Sequence, residues 1–427
     1  MSDSAGAPGS GSPDENDAGD TKDPESVAPQ AEPTRRDNAR KLAILMVTAF
    51  VDMVGVLMVI PLLPFFATDL GASGFVVTVL IAAFSVAQLV SAPLWGRFSD
   101  RYGRRPALLI GLGASAIAYV VFAFADSVWL LLLSRVIQGA GGGTVGVIQA
   151  YVADATKPQD RARALGWLSA ATNLGVTIGP VLGSTTMQLG RPAPGLFAAL
   201  LCTVNIGFAW RYLHESHGAE ARATGMRTIT RSRDTIMRVV RRPGETPSRL
   251  IWIYSVAMGA FQGSTAVLAL YLAARFAVTE QTIGFFFTYV GAISVLTRAL
   301  ILGPMVDRFG EARLARLGLA LLATGLMTLP LASNYGMLAL AVGLWPLGTA
   351  FTFPCVTSLL SQVIDSRERG MYMGTQQTFG GVTRSTFPLL AGLAFDHLGI
   401  GVPFFAAGLL VVLIIPLTLQ LSEERRG

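Results

Sequence analysis

The sequence predicts an all-α membrane protein: twelve transmembrane helices in two six-helix halves, with both termini cytoplasmic. Three observations predict this. The 427 residues are 52% hydrophobic and 14% charged, with a mean hydropathy of +0.53, whereas soluble domains carry about 25% charged residues. From Lys41 onward there are twelve apolar runs, each about 20 residues or longer and so able to cross a bilayer. Finally, a charged turn, Gly96-Arg97-Phe98-Ser99-Asp100-Arg101-Tyr102-Gly103-Arg104-Arg105-Pro106, recurs in degenerate form as Gly303-Pro304-Met305-Val306-Asp307-Arg308-Phe309-Gly310, Asp307 following Asp100 by 207 positions. A repeated charged turn between apolar helices marks a chain built from two related halves.

Residues 1–38 are rich in Asp, Gly, Ser and Pro and nearly free of bulky apolar side chains, so they read as a disordered acidic tail. They contain no basic stretch followed by a short apolar core, so a cleaved signal peptide is not expected. The apolar runs span 41–68, 73–96, 106–126, 128–153, 161–189, 195–213, 249–274, 280–303, 312–332, 335–363, 369–395 and 400–421. Lipid offers no hydrogen bonds to exposed backbone, so each is expected to be a helix. The N-terminal half is then 39–213, a basic cytoplasmic linker 214–248, the C-terminal half 249–422, and 423–427 a cytoplasmic tail.

Arginine placement sets the orientation. The connections after odd-numbered runs hold only Arg191 and Arg275. The other side holds Arg97, Arg101, Arg104, Arg105, Lys157, Arg161, Arg163, the whole linker, Arg308, Arg313, Arg316, Arg367 and Arg369. In the linker, Met226, Ile229, Ile236, Met237, Val239 and Val240 interleave with arginines, the pattern of a basic amphipathic helix on the inner leaflet or of a basic tether.

Composition also excludes function classes. The net charge of +6 belongs to loops facing an anionic leaflet and does not point to nucleic acid. Cys202 and Cys355 lie inside apolar runs and read as packing thiols. His214, His217 and His397 sit at helix ends without the acids or thiols that would complete a metal site. Nothing resembles a phosphate-binding glycine loop followed by Lys-Ser or Lys-Thr, so neither ATP nor another cofactor is expected.

Four segments inside the helices carry more information. Helix 1 contains Asp52-Met53-Val54-Gly55, then Pro61 and Pro64. Helix 4 contains Arg135-Val136-Ile137-Gln138-Gly139, followed by Ala140 and three glycines, and ends near Asp154. Helix 5 contains Gly175, Gly179, Pro180 and Gly183. Together with the Gly96–Arg105 loop, these resemble the major facilitator superfamily. Within it they resemble the twelve-helix drug:proton antiporters that include tetracycline and multidrug exporters. The resemblance covers roughly residues 40 to 422. It implies that the loop is the signature between helices 2 and 3, that Arg135–Gly139 is the helix-4 motif, and that the helix-5 glycines with Pro180 are the antiporter motif. It also implies a monomer. The second half departs from the pattern: Glu311 stands where Arg104 does, and Phe387 answers Gly179 while Pro388 and Gly392 echo the motif.

The residues support a physical reading beside the resemblance. Gly175, Gly179 and Gly183 recur every four positions and so share one helical face, where small residues let another helix come close. Pro180 lacks an N–H and bends the helix. This smooth, bent helix is expected at the seam between the halves. Ionisable groups inside a bilayer cost about 2.5–3.5 kcal/mol each and are functional by default. Asp52, Arg135, Arg298 and Arg384 are such groups. Burial favours a neutral carboxylate and a nearby cation favours a charged one, so Asp52 is expected to carry the proton and Arg135 to be its partner. Arg298 is expected to snorkel to the membrane surface.

A cytoplasmic gate is expected from Gly96, Asp100, Arg101, Gly103, Arg104, Arg105, Asp154, Asp307 and Arg308. Asp100 would face the start of helix 11, and Arg104 would pair with Asp154. A substrate cavity is expected from Gln88, Gln138, Gln149, Asn173, Phe261, Gln262, Tyr289, Trp345, Phe353, Gln377, Phe379 and Arg384, apolar groups with scattered hydrogen-bonding ones. The resulting expectation is a proton-coupled exporter of small amphipathic compounds in the cell membrane, not an enzyme, whose partners are substrate, protons and lipid. A transporter of organic anions, sugars or lysolipids is the alternative on the same fold. A non-transporting receptor or scaffold is the alternative of a different class.

Overall fold

A computed structural model describes residues 35–156, 160–213, 229–365 and 368–419. The acidic tail up to residue 34, most of the linker with His214 and His217, and the C-terminal tail lie outside the described residues, as do Lys157 and Arg367. Among the described residues the chain is helical throughout, without strands.

The N-terminal half runs through α1 (Arg35–Val59), α2 (Leu63–Asp69), α3 (Gly74–Tyr102), α4 (Arg104–Ala123), α5 (Val128–Gly141), α6 (Thr144–Ala155), α7 (Arg161–Thr186) and α8 (Ala193–Tyr212). After α9 (Ile229–Arg241) come α10 (Thr246–Phe276), α11 (Ile283–Leu296), α12 (Leu302–Phe309), α13 (Glu311–Thr328), α14 (Tyr335–Val363), α15 (Arg369–His397) and α16 (Val402–Leu419). Helices α1 and α2 are one apolar run divided at Ile60–Leu62, where Pro61 removes a backbone donor. Helix 4 divides into α5 and α6 at Gly142 and Gly143. A π-helical turn, Thr297–Ile301, joins α11 to α12. Ser73 and Asn334 cap α3 and α14 by accepting from the Val76 and Met337 N–H groups.

Among the described residues, eleven helices are long and apolar enough to cross a membrane. The sequence predicted twelve; α15 is the difference. It is 29 residues long, but Arg369, Arg384 and a run of Gln, Thr and Gly lower its hydropathy.

One backbone solution appears at both signature turns. Gly103 alone separates α3 from α4, at φ 108°, and Gly310 alone separates α12 from α13, at φ 77°. Side chains rarely adopt these angles, which explains the glycine at each. Both cysteines are buried and unpaired.

The halves meet through α3 against α15 and α7 against α11. Away from the arginine-rich end, the Phe75 N–H donates to Asp396 Oδ2 at 2.8 Å. Ser184 Oγ accepts from the Gly284 N–H and donates to the Glu280 carbonyl, both at 2.9 Å. Thr288 Oγ1 donates to the Thr177 carbonyl at 2.9 Å. A Cβ on Gly392 would overlap Thr78 Oγ1. At the arginine-rich end a cavity of about 700 Å³ separates α3 and α6 from α15.

The linker helix α9 packs on α10 and α15. Thr235 and Val239 are buried there, and the Trp252 indole donates to the Val239 carbonyl at 3.4 Å. The apolar side that the sequence assigned to lipid thus serves partly as a protein contact, while Met237 and Val240 remain exposed. Arg238 and Arg242 both bond Glu245, at 2.8 and 3.1 Å.

Candidate transport site

The division of helix 4 organises the site. Breaking a helix frees carbonyls that must be satisfied inside a bilayer. Here α3 supplies the donors: Ser91 Oγ to Gly139, the Trp95 indole to Ala140, and Gln88 Nε2 to Gly142. The glycines permit this approach, since a Cβ on Gly139 or Gly143 would collide with the Phe84 carbonyl or the Trp95 ring. Thr144, the first residue of α6, then reaches α1 and donates to Asp52 Oδ2 at 3.0 Å.

Asp52 is 2% exposed and Arg135 1% exposed. They form no ion pair, so the direct Asp52–Arg135 partnership expected from the sequence is absent in this conformation. Arg135 lies over the Phe122 ring at 5.4 Å, and its Nε meets Ser134 Oγ at 3.3 Å. Tyr119 of α4 lies near both charges. Its ring would touch a Cβ on Gly55, one turn from Asp52, and its hydroxyl accepts from Gln138 Nε2 at 2.9 Å. Asp52 Oδ1, Thr48 Oγ1, Arg135 Nη2, Gln138 Oε1 and Asn205 Oδ1 are all buried without a hydrogen-bond partner. Natural proteins keep few such groups, which makes this cluster a candidate site.

The helix-5 glycines hold the carboxylate's helix in place. Added Cβ atoms would meet the Phe50 carbonyl at 2.7 Å from Gly175, the Val54 carbonyl at 2.8 Å from Gly179, and the Met58 carbonyl from Gly183. The stripe therefore faces α1 inside its own half, which corrects its expected position at the seam. The seam face of α7 is instead Asn173, Thr177, Pro180 and Ser184, met by Gly284 and Gly291 of α11. Along α7 the glycines at the seam come from the second half.

The arginine-rich end carries a compact charge cluster. Arg104 bonds Asp100 at 2.6 Å, Asp154 at 3.0 Å and Ser99 Oγ at 3.0 Å. The Arg104–Asp154 pair matches the sequence expectation. Asp100 meets Arg104 and not the start of α15. Arg105 donates to the Trp210 carbonyl, and Arg101 stacks on Tyr102 at 5.4 Å. Gly96 has open space around it. In the second half, Asp307 and Arg308 are exposed, with Arg308 over Phe309. Glu311 is the bonded residue there, accepting from Ser358 at 2.6 Å and Gln362 at 2.8 Å.

The expected cavity residues separate into two groups. Gln88, Gln149, Gln377 and Arg384 line the 700 Å³ cavity together with Arg104. Phe353 lines a second cavity of about 420 Å³ with Tyr254, Arg298, Thr357 and Ser358. Arg298 does not snorkel: its Nη1 crosses the seam to Asn173 Oδ1 at 3.3 Å. Gln138 belongs to the Asp52 cluster. Trp345 is buried against Phe404 of α16, away from both cavities. Tyr289 donates to the Ala339 carbonyl of α14 at 3.0 Å, and Phe379 packs edge-on against Trp252. Phe261 and Gln262 are half-buried on α10. Tyr119, Thr144 and Arg298 were missed as site residues. The three consecutive glycines before Thr144 were the one sequence signal that could have pointed to it.

The model of the Major Facilitator Superfamily matches residues 45–298 and 250–426. The chain belongs to the major facilitator superfamily. It is 29% identical over 366 residues to the tetracycline resistance protein, class C, of Escherichia coli, covering 82% of this chain and 88% of that protein. It is 28% identical over 394 residues to multidrug resistance protein 2 of Bacillus subtilis, covering 90% and 95%. The crystal structure of the human organic anion transporter MFSD10 (TETRAN) shares the fold, with a TM-score of 0.68 at 24% identity, covering 89% of this chain and 99% of that one. The chain is thus a multi-pass transport protein of the cell membrane that acts on small molecules.

Proposed function

We propose that this transporter exports small amphipathic compounds in exchange for protons, by alternating access, with Asp52 as the proton carrier. One observation carries the reading: Asp52 is buried in the membrane-spanning core without a counter-cation, with one oxygen bonded to Thr144 and the other bonded to nothing. A carboxylate in that setting is costly when charged and uncharged only when it holds a proton. The antiporter-like glycine stripe packs against the same helix, and the tetracycline and multidrug resistance relatives agree with export.

In this reading α15 is the twelfth span, since its length suffices and it packs between α3 and α10. Both termini and the arginine-rich end are cytoplasmic. The conformation, joined at the far end and open between α3 and α15 at the basic end, is then inward-facing. Outward opening would close the basic end, where Asp100, Arg104 and Asp154 are available to brace the closed state. A coupled rocker needs its states within a few kcal/mol of each other, so that binding can select between them.

The test uses sealed inverted vesicles containing the full chain, a panel of fluorescent lipophilic compounds and an imposed proton gradient. Uptake of at least one compound that a protonophore collapses supports the reading. Uptake indifferent to the gradient for every transported compound would remove proton coupling.

A further inference from the structure

Two arginines of the C-terminal half lack a counter-charge. Arg298 is on the π-helical turn between α11 and α12, and Arg384 is in the middle of α15. Among the described residues neither forms an ion pair, whereas Arg104, Arg191, Arg238 and Arg242 all do. Arg384 lines the cavity between the halves, Arg298 lines a smaller cavity within the C-terminal half, and neither cavity has an Asp or Glu in its wall. Arg298 Nε is buried without an acceptor, while Nη1 makes the 3.3 Å contact to Asn173. Tyr254 lies near both arginines. It lines the smaller one beside Arg298, its ring packs on Gly380 of α15, and its phenol lies in the field of both guanidiniums, near Gln377.

We propose that Arg298 and Arg384, with Tyr254 and Gln377, form an anion-binding subsite that receives the acidic group of an amphipathic substrate. The chemistry selects the class. A guanidinium presents a planar fork of donors that matches a carboxylate bidentately. Tyr254 and Gln377 add neutral donors. Phe353 and Met373 on one side and Leu89 and Ala92 on the other supply apolar walls for the ligand body. An arginine kept unpaired at membrane depth is explained if its partner arrives with each transport cycle. The π-helical turn fits the same purpose, since such turns re-aim a side chain at functional sites. The subsite occupies the substrate cavity of the transporter described above and rests on that reading. A small organic acid and a lipid phosphate share the chemistry that would be recognised.

Equilibrium binding tests the subsite without a gradient, so its outcome is separate from that of proton coupling. The purified full chain is placed in phosphatidylcholine nanodiscs and titrated with radiolabelled naphthoate, its methyl ester and tetraphenylphosphonium. The expected result is saturable naphthoate binding at least tenfold tighter than that of the ester or the cation. Arg384→Gln and Arg298→Gln should each weaken it tenfold or more, and Arg384→Lys should restore part of the loss. If a Gln variant is poorly folded by size-exclusion profile and Tm, the Lys variants and ester discrimination in the wild type decide. Displacement of naphthoate by added phosphatidylglycerol also supports the subsite and identifies a lipid phosphate as a second ligand. Equal binding of acid and ester, or naphthoate binding within twofold of wild type in folded Gln variants, overturns it.

Discussion

The turn at Gly103 and the turn at Gly310 share a backbone and differ in chemistry. Each is a single left-handed glycine between two helices, followed by a long polar residue that bonds the helix-4 or helix-10 wall of its own half. In the first half that residue is Arg104, ion-paired with Asp100 and Asp154. In the second it is Glu311, which accepts from the neutral Ser358 and Gln362. Duplication preserved the geometry that glycine requires, while the charges diverged. The same division holds deeper in the membrane. The first half encloses Asp52 and Arg135 away from both cavities, and the second presents Arg298 and Arg384 to them. An enclosed acid suits proton exchange; cations that face a cavity suit a ligand.

Substitutions can break or sharpen that comparison, and the largest effect is expected at the glycine stripe. Gly183→Ala places a methyl against the Met58 carbonyl, a backbone atom that cannot rotate away. Overpacking of this kind costs about 1–3 kcal/mol, and a lowered Tm should show it. Gly96→Ala and Gly303→Ala, where nothing lies within 4 Å, should leave Tm unchanged. Next in size is Thr144→Ala, which leaves a second Asp52 oxygen without a donor. An unsatisfied buried acceptor costs about 1–3 kcal/mol, again read as Tm.

The turns themselves should respond more weakly and differently. Arg104→Gln removes two partly exposed ion pairs, worth about 1 kcal/mol together after solvent screening. Repeating the Tm measurement in high salt should shrink that loss. Glu311→Gln keeps an acceptor for Ser358 and should stay within about 0.5 kcal/mol of wild type at any salt. Equal salt dependence at the two turns would contradict the comparison. The smallest effect belongs to the linker. Arg238 and Arg242 hold the Glu245 carboxyl below the usual carboxylate range. The α9 latch is therefore fully supported above that range and is lost as pH falls below it, through the lowered value. Hydrogen exchange across Ile229–Arg241 should be faster at about pH 3 than at pH 7 beyond the intrinsic pH effect, and Glu245→Gln should abolish that difference.

Much of this was readable from the sequence. Hydropathy marks where a helix crosses, because lipid forces backbone bonds to close within the segment. The runs therefore agree with the helices to within a few residues at most ends, and Arg104 and Asp154 met as expected. Hydropathy cannot say which way a helix faces, since lipid-facing and protein-facing sides are both apolar. That is why the Gly175–Gly183 stripe was assigned to the wrong neighbour and why Trp345 was expected in the cavity. A π-helical turn has no compositional signature, so Arg298 was assigned to the membrane surface. The division of helix 4 had a signal in three consecutive glycines, but its consequence, Thr144 on Asp52, depends on how α3 satisfies the freed carbonyls.

The central claim is that Asp52 carries the proton. The most direct test compares wild type with Asp52→Asn in sealed vesicles, for a compound that wild type moves against its gradient. Two quantities are measured: gradient-driven accumulation, and exchange of labelled for unlabelled compound at equal pH. The account predicts that the variant loses accumulation and keeps exchange, because Asn resembles the protonated carboxyl and leaves alternating access intact. Full accumulation by Asp52→Asn would contradict it and place the proton on another group.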